Sequence, residues 1–365
     1  MPSFRLVIFF MSETLTIRPG MAAHARGDRR AVTAWLLLVA GLVFLMVIVG
    51  GATRLTESGL SIVEWKPVTG TVPPLTEADW HEAFEAYKQI PEYQLEHAWM
   101  SLDDFKYIFW WEWGHRLLGR LIGLAYALPF FWFLARRRIP EGYQKPLWGL
   151  LLLGGLQGAI GWWMVSSGLS ERTDVSHYRL ATHLGVALAI LAGLLWTALN
   201  LLADRSRQSV PARASRWATP FLALLAAQIV MGAFVAGMKA GYAYNTWPLM
   251  GDRFVPENMW EAGLGWLNLV ENGVVVQFIH RLIAYGLAVV GALWIVDGFR
   301  TGIGAMKDRA MLFGIALAFQ ITLGVLTIIH AVPIVLGVAH QGGAAVLLAA
   351  ALFYAHRGRN ISRVA

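Results

Sequence analysis

The sequence predicts an all-α integral membrane protein whose eight transmembrane helices form two tandem four-helix bundles, related as parallel repeats. Three observations carry this prediction. Only 15% of the 365 residues are charged and 57% are hydrophobic, whereas a soluble domain carries about 25% charged residues. Eight apolar segments are long enough to cross a bilayer. Motifs in the first half of the chain return at fixed offsets in the second half.

The apolar segments give the predicted helices in chain order. Each is about 20 residues long and nearly uncharged, as a membrane-spanning helix requires. The predicted spans are residues 32–52, 110–135, 146–168, 179–203, 217–238, 275–297, 310–330 and 333–355. The predicted domains are an N-terminal tail over residues 1–31, a four-helix bundle over 32–203, a linker over 204–216, a second four-helix bundle over 217–355 and a C-terminal tail over 356–365.

Two long connections, residues 53–109 and 239–274, are predicted on one side of the membrane. In the first, Trp80, Phe84 and Tyr87 recur at helical spacing among acidic residues. This pattern predicts an amphipathic surface helix within residues 77–93. Such a helix either caps the bundle or binds a partner, and the sequence leaves both interpretations open.

The internal repeat is carried by glycine, tryptophan, glutamine and histidine positions. The equivalent pairs are Gly50/Gly232, Gly59/Gly241 and Trp65/Trp247 at an offset of 182 residues, His115/His280 at 165, Gln157/Gln320 and Gly161/Gly324 at 163, and His183/His340 at 157. Each half holds an even number of helices, so the halves are predicted to be parallel repeats about an axis along the membrane normal.

The basic residues predict the orientation. Of the 30 Lys and Arg residues, 19 fall in the two tails and in the loops that an eight-span topology places on the same side. Basic residues mark the cytoplasmic side, or the matrix side of a mitochondrial membrane, so both termini are predicted to lie there and both long connections on the other side. The predicted location is the bacterial inner membrane, with the termini in the cytoplasm. The formal net charge of +7 therefore reflects topology, and nucleic acid is not expected as a partner.

The chain has no cysteine, so it cannot build a disulfide, a zinc–thiolate site or an iron–sulfur cluster from its own residues. Histidine and carboxylate side chains must therefore carry any metal chemistry. His115, His183, His280 and His340 all lie toward the outer ends of predicted membrane helices. An imidazole at such a position is costly unless it has a partner. Satisfied core histidines are the alternative interpretation.

Two neutral imidazoles from facing helices of a bundle suit the axial ligation of haem iron. Zinc or a di-iron centre would need three or more His or carboxylate ligands. The sequence therefore predicts one haem site in each half. His177 and His330 are predicted to be loop residues near these sites, and the remaining histidines, His24, His81, His97 and His356, are predicted to have no role in them.

One difference separates the halves. Glu112 precedes His115 by three residues, so on a helix both face the same cavity, whereas Gln277 precedes His280. A carboxylate can move protons and an amide cannot, which predicts that the reaction takes place at the N-terminal site. Pairing of Glu112 with Arg116 or Arg54 is the alternative.

Four arginines are candidate partners for haem propionates: Arg54, Arg116, Arg120 and Arg281. The alternative for each is an ordinary arginine at the membrane interface.

These residues belong to longer motifs that resemble the haem A synthases of bacteria and mitochondria over residues 33–355. The motifs are residues 49–61 (VGGATRLTESGLS), Trp65-Lys66-Pro67, Glu112-Trp113-Gly114-His115-Arg116, residues 245–250 (NTWPLM), His280-Arg281-Leu282 and Ala339-His340-Gln341. The chain has no cysteine in its first outer loop, as in the mitochondrial-like and proteobacterial class of this family.

The resemblance implies an eight-helix duplicated fold and an enzyme that oxidises the C8 methyl group of haem O to the formyl group of haem A, for use by cytochrome oxidase. It implies that His280 and His340 bind a haem b cofactor and that His115 and His183 hold the substrate haem. It also implies that Glu112 is the essential acid. The implied partners are haem O, an electron donor, haem O synthase and the machinery that assembles cytochrome oxidase.

Two other functions are compatible with parts of the sequence. A dihaem b-type cytochrome that only transfers electrons would explain both histidine pairs but not the Glu112/Gln277 difference. A transporter of an amphiphile would explain the repeats but not the matched histidines. The sequence leaves open the electron donor, the source of activated oxygen, the ligation of the substrate iron during turnover, the oligomeric state and the start codon (Met1 or Met11).

Overall fold

The computed structural model describes residues 19–170, 172–203 and 216–359, and within these residues it contains no β-strand. This confirms the predicted all-α class. The helices are α1 (Pro19–Leu55), α2 (Glu77–Tyr87), α3 (Leu102–Ala135), α4 (Gln144–Val165), α5 (His177–Leu202), α6 (Ala218–Gly237), α7 (Asn268–Glu271), α8 (Gly273–Arg300), α9 (Gly304–Ile329) and α10 (Ile334–Arg359). Residues 204–215 of the predicted linker and most of both predicted tails lie outside the described residues.

Eight of these helices are long and apolar enough to cross a membrane, which confirms the predicted number. The start of α3 differs from the prediction, because this helix begins at Leu102 rather than at residue 110. The Ser101 hydroxyl accepts a hydrogen bond from the Asp104 amide, and the Asp104 side chain accepts one from Ser101 N, which forms a capping box. Because the first turn of α3 is acidic, a prediction based on apolar segments does not include it.

Helix contacts repeat between the halves. In the first half α1 packs against α3 and α5, and α4 packs against α5; in the second half α6 packs against α8, and α9 packs against α8 and α10. One apolar core, around Leu36 and Leu194, lies mainly in the first half but includes Ala345 of α10, and another, around Trp294 and Phe313, lies in the second half. Ile229 and Leu348 pack against both cores. The halves meet where α5 contacts α6 and α10, and where α1 contacts α10. The division into two four-helix bundles stays a prediction, because the halves also pack closely against each other.

Equivalent positions of the repeat touch each other at the interface between the halves, just beyond the ends of α1 and α6. Lys239 Nζ lies 2.7 Å from Glu57 Oε1, and these residues are separated by the 182-residue offset of the repeat. Both residues have a left-handed backbone, with φ of 51° and 52°. At the same offset, Arg54 Nη2 donates to Ala236 O at 3.1 Å. Equivalent residues meet only near the axis that relates two repeats, so these contacts support a parallel duplication.

The predicted surface helix exists, but α2 ends at Tyr87 rather than near residue 93. Pro91 lies shortly after this end, and a proline disfavours the helical conformation in the residue before it. Phe84 and Tyr87 are buried, and their rings pack on Phe105 of α3. This apolar face is covered by the protein itself, which favours the interpretation of α2 as a cap over the first bundle.

His97 was predicted to have no role in the haem sites, yet the structure gives it a defined place. It is buried, its Nδ1 lies 2.8 Å from the Tyr87 hydroxyl, and its Nε2 lies 3.5 Å from Glu57 Oε2. The hydrogen bond with His97 is the main cause that lowers the pKa of Glu57 to about 2. The hydrogen bond with Glu57 is likewise the main cause that raises the pKa of His97.

Replacing His97 by glutamine is expected to lower stability in a pH-dependent way. His97 stabilises the fold below its ordinary pKa of 6.5, and this contribution is lost as the pH rises through its raised folded value. Glu57 stabilises the fold above its ordinary pKa of 4.5, and this is lost as the pH falls toward 2. Thermal unfolding of the parent and H97Q should therefore differ most between about pH 4.5 and 6.5. The exposed His81 provides a matched control, and an H97Q difference that grows at alkaline pH would contradict the assignment.

Candidate functional site: two pairs of histidines

His115 and His280 each pack against a glycine of the first helix of their own half. A Cβ added to Gly50 would lie 3.2 Å from His115 Nε2, and a Cβ added to Gly232 would lie 3.0 Å from His280 Cε1. Both approaches are tighter than ordinary van der Waals contact. Glycine at these repeated positions therefore makes room for an imidazole between α1 and α3 and between α6 and α8.

His183 and His340 follow the same rule with a different pair of helices. A Cβ added to Gly161 on α4 would lie 2.9 Å from His183 Cε1, and one added to Gly324 on α9 would lie 2.8 Å from His340 Cε1. The sequence shows all four glycines as repeated positions. The structure shows why glycine is needed at these positions, since each glycine packs against the ring of one histidine.

The histidines come together as the predicted pairs. His115 and His183 are close enough to interact electrostatically, and so are His280 and His340. All four remain partly exposed although they lie within the bundles, and the Nδ1 atoms of His183 and His280 are buried without a hydrogen-bond partner. Among the described residues, no group of three or more His, Cys, Asp or Glu side chains could hold a metal ion. Partly open imidazole pairs with unused nitrogens fit a haem with two axial histidines.

Glutamine amides lie near ring nitrogens of the histidines in the second half, whereas in the first half the contact is with a backbone carbonyl. Gln320 Nε2 lies 3.2 Å from His340 Nδ1 and donates to His340 O at 3.0 Å, whereas the equivalent Gln157 donates to His183 O at 2.9 Å. In addition, Gln228 Nε2 lies 3.2 Å from His280 Nε2. Gln228 was not among the predicted site residues. Comparison of the repeats could have identified it, because the offset of 182 residues places Met46 at the equivalent position. A polar side chain therefore occurs at this position in the second half and not in the first.

Glu112 is buried, with 3% of its surface exposed, and both carboxylate oxygens have partners. Oε2 accepts hydrogen bonds from the Ser61 hydroxyl at 2.7 Å and from Ile62 N at 2.8 Å. Oε1 accepts two from Arg116, at 2.6 Å from Nη2 and 3.0 Å from Nε. The structure therefore contains the pairing with Arg116, which was the alternative interpretation of Glu112. It also contains two loop partners, Ser61 and Ile62, that were not predicted.

Arg116 and Arg281, at equivalent positions, also bind the backbone of the outer loops. Arg116 donates to Ile62 O at 2.6 Å and to Glu64 O at 2.9 Å. Arg281 donates to Tyr244 O, Thr246 O and Leu249 O at 2.8–3.2 Å. These contacts occupy most of the donors of two of the four arginines that were predicted to bind propionates.

The other two arginines keep a free donor. Arg54 forms an ion pair with Asp174 at 3.4 Å, and its Nε is buried without a partner. Arg120 donates to Lys66 O and Pro67 O at 2.8 Å, and its Nη1 is buried without a partner. Each could therefore still donate to an anionic group at the outer ends of the helices.

The two histidines that were predicted to lie in loops, His177 and His330, differ from each other in position and in burial. His177 is the first residue of α5 rather than a loop residue, and it is 3% exposed. Its ring packs on Phe234, with ring centroids 5.1 Å apart, and its Nε2 lies 3.8 Å from Glu271. His330 is exposed at the end of α9. Both side chains therefore have surroundings of their own outside the glycine-backed pairs.

Comparison with known proteins agrees with this architecture. Residues 33–352 match the family described as "Cytochrome oxidase assembly protein". The chain is 53% identical over 329 residues to Heme A synthase of Rhodopseudomonas palustris strain TIE-1, an alignment that covers 90% of this chain and 89% of the relative. It is 55% identical over 326 residues to Heme A synthase of Rhodospirillum centenum, covering 87% and 86% of the two chains.

The family match extends from α1 to α10 and so includes all four histidines and the two long connections after α1 and α6. The chain belongs to the family of cytochrome oxidase assembly proteins.

Proposed function

We propose that this protein is a haem A synthase, which oxidises the C8 methyl group of haem O to the formyl group of haem A. Each half contains two histidines, and each of the four packs against a glycine. This arrangement carries the proposal, in a chain that is more than 50% identical to relatives named Heme A synthase. In this proposal the N-terminal bundle, residues 32–203, holds the substrate and the C-terminal bundle, residues 217–355, holds the cofactor.

The cofactor proposed for His280 and His340 is haem b, which supplies one-electron redox chemistry when it is bound. The amides of Gln228 and Gln320 lie against the ring nitrogens of these two histidines. Groups that hold a ligand side chain in one orientation strengthen its binding. Such support favours a permanent cofactor in the C-terminal half.

The substrate haem is proposed to bind between His115 and His183, next to Glu112. In this proposal Glu112, which lies beside Arg116, would accept or deliver a proton at the substrate. The equivalent Gln277 cannot take up a proton, in line with a C-terminal site that only transfers electrons. Of the arginines, Arg54 and Arg120 are the better placed for propionates, because each has an unused buried donor.

The proposed partners are haem O as substrate, an electron donor, haem O synthase and the machinery that assembles cytochrome oxidase, and self-association is left open. The alternative function is a dihaem b-type cytochrome. Pigment analysis of the purified protein separates them: a haem A synthase should carry haem b and convert added haem O to haem A. Two permanent b haems without conversion would support the alternative and contradict the proposal.

The proposed location is the bacterial inner membrane, with both termini in the cytoplasm and both histidine pairs toward the outer side. Topology reporters fused at Gln89, next to α2, and at Ser209, which lies outside the described residues, should therefore report opposite sides of the membrane. A reporter active only in the periplasm should be active at Gln89 and inactive at Ser209. Activity at both positions would contradict this orientation.

A further inference from the structure

Two equivalent outer loops lie across the outer ends of the histidine-bearing helices. We define residues 58–67 as the N-terminal lid and residues 240–249 as the C-terminal lid. Each follows the first helix of its half, and Gly59 and Gly241, like Trp65 and Trp247, occupy equivalent positions in them. The contacts of these lids connect the two sides of each histidine pair.

The N-terminal lid is fastened to α3 beside His115. The Ser61 hydroxyl and Ile62 N donate to Glu112 Oε2, and Arg116 donates to Ile62 O and Glu64 O. Ser61 is 2% exposed and Glu112 is 3% exposed, so this attachment is shielded from water. One buried carboxylate therefore joins the lid to the helix that carries His115.

The same lid also reaches α4 beside His183. The rings of Trp65 and Trp162 pack with centroids 5.1 Å apart, and Trp162 follows Gly161, the glycine that contacts His183. Leu60 packs on Gly168 just after α4, where an added Cβ would lie 2.7 Å from the leucine side chain. The N-terminal lid thus bridges the two sides of the N-terminal histidine pair.

The C-terminal lid repeats this bridge with different chemistry. Gln277, equivalent to Glu112, donates to Ala240 O at 3.0 Å and to Tyr244 O at 3.2 Å. Asn245 donates to Ile328 O of α9 at 3.0 Å. Side-chain amides that donate to backbone carbonyls hold this lid on both sides, Gln277 to carbonyls of the lid and Asn245 to a carbonyl of α9, whereas the N-terminal lid depends on hydrogen bonds accepted by a charged carboxylate and on aromatic packing.

We propose that the N-terminal lid seals the outer end of the N-terminal site, and that Ser61 and Arg116 are positioning residues that hold the lid and Glu112 together. The identity of the molecule beneath the lid rests on the proposed function. The lid itself rests on the hydrogen bonds and ring contacts above. Loss of the Ser61 hydroxyl would weaken the hold of the lid and leave Glu112 less well placed, without removing either charge of the Glu112–Arg116 pair.

The chain has no cysteine, so a single introduced thiol can report on the lid. Leu60→Cys places it at a position that is 2% exposed in the closed lid, and Met250→Cys, at 3% exposed, is the matched reporter beside the C-terminal lid. In the L60C background, Ser61→Ala should raise the rate of modification by a membrane-impermeant maleimide about tenfold, because a hydrogen bond to a charged group is lost. Ser61→Thr, which keeps the hydroxyl, should restore a slow rate.

The same S61A change should leave the M250C rate and the bound haem b unchanged, which shows that the variant is folded, and should slow conversion of haem O. Equal L60C rates in S61A and in the parent, or a fast rate in S61T, would overturn the lid. The labelling comparison needs no haem O, so a parent that converts no haem O would refute the proposed function while the lid is still tested.

Discussion

Replacing His280 or His340 by alanine is expected to give a protein that inserts into the membrane but carries no resident haem b. Each imidazole fills a space that its glycine, Gly232 or Gly324, leaves open, and alanine provides no atom that can bind iron. If the two histidines hold the haem iron as proposed, loss of one of them would remove a bond that the other histidine cannot replace. The absorption spectrum of the purified variants, recorded at equal protein concentration, measures the effect directly.

Matched controls separate loss of the ligand from loss of the fold. His330→Ala removes an exposed histidine at the end of α9 and should keep the full b-type absorption band. His115→Ala should keep it as well, because His115 belongs to the other pair. An unshifted band of full strength in both H280A and H340A would show that the C-terminal pair does not hold the resident haem, and the assignment of the two halves would have to be exchanged or abandoned.

The all-α class and the number of membrane-spanning helices were predicted correctly, because each helix is set by the apolar residues of its own segment. Eight apolar segments set the helices, and the helix ends differed where the decisive residues are polar. At α3 the capping box of Ser101 and Asp104 starts the helix within an acidic segment. At α2 the helix ends before Pro91. Patterns of hydrophobicity carry little information about such ends, because caps and prolines act through one or two residues.

The histidine pairs could be predicted because the chain contains two copies of the arrangement. Repetition turned isolated histidines into matched positions, and the glycines that support them repeat too. The hydrogen bonds of Glu112 could not be predicted in the same way, because Ser61 lies 51 residues away in the chain and the loop fold decides the contact. His97 was missed for the same reason, since its partners Tyr87 and Glu57 come from separate segments.

The structure also changes what the difference between Glu112 and Gln277 means. Both side chains hold the outer loop of their own half, the first as a hydrogen-bond acceptor and the second as a donor. The two positions thus share a structural task. What the carboxylate alone adds is a negative charge beside Arg116 and the ability to take up a proton. A substitution at position 112 must therefore be judged by two readouts, the position of the loop and the fate of haem O.

Replacing Glu112 by glutamine is expected to abolish most haem A formation while the protein still binds haem b. The amide keeps the size of the side chain, so His115 and its contact with Gly50 should persist. One amide oxygen can accept from Ser61 and Ile62 or from Arg116, but the NH₂ group then faces the other donors. The proton acceptor beside the substrate is lost as well. General acid–base assistance is worth about 10²–10⁴-fold, so haem A should fall by at least about a hundredfold.

Pigment analysis of a strain whose only copy is E112Q measures this loss, and S61A serves as its comparison. If Glu112 acted only by holding the loop, both variants would expose the thiol of L60C and lose haem A to similar extents. If Glu112 also takes up a proton, E112Q should lose far more haem A than S61A at a similar labelling rate. Normal haem A in E112Q would mean that the carboxylate only balances the charge of Arg116. The N-terminal site would then lack the proton chemistry that distinguishes it from the C-terminal one.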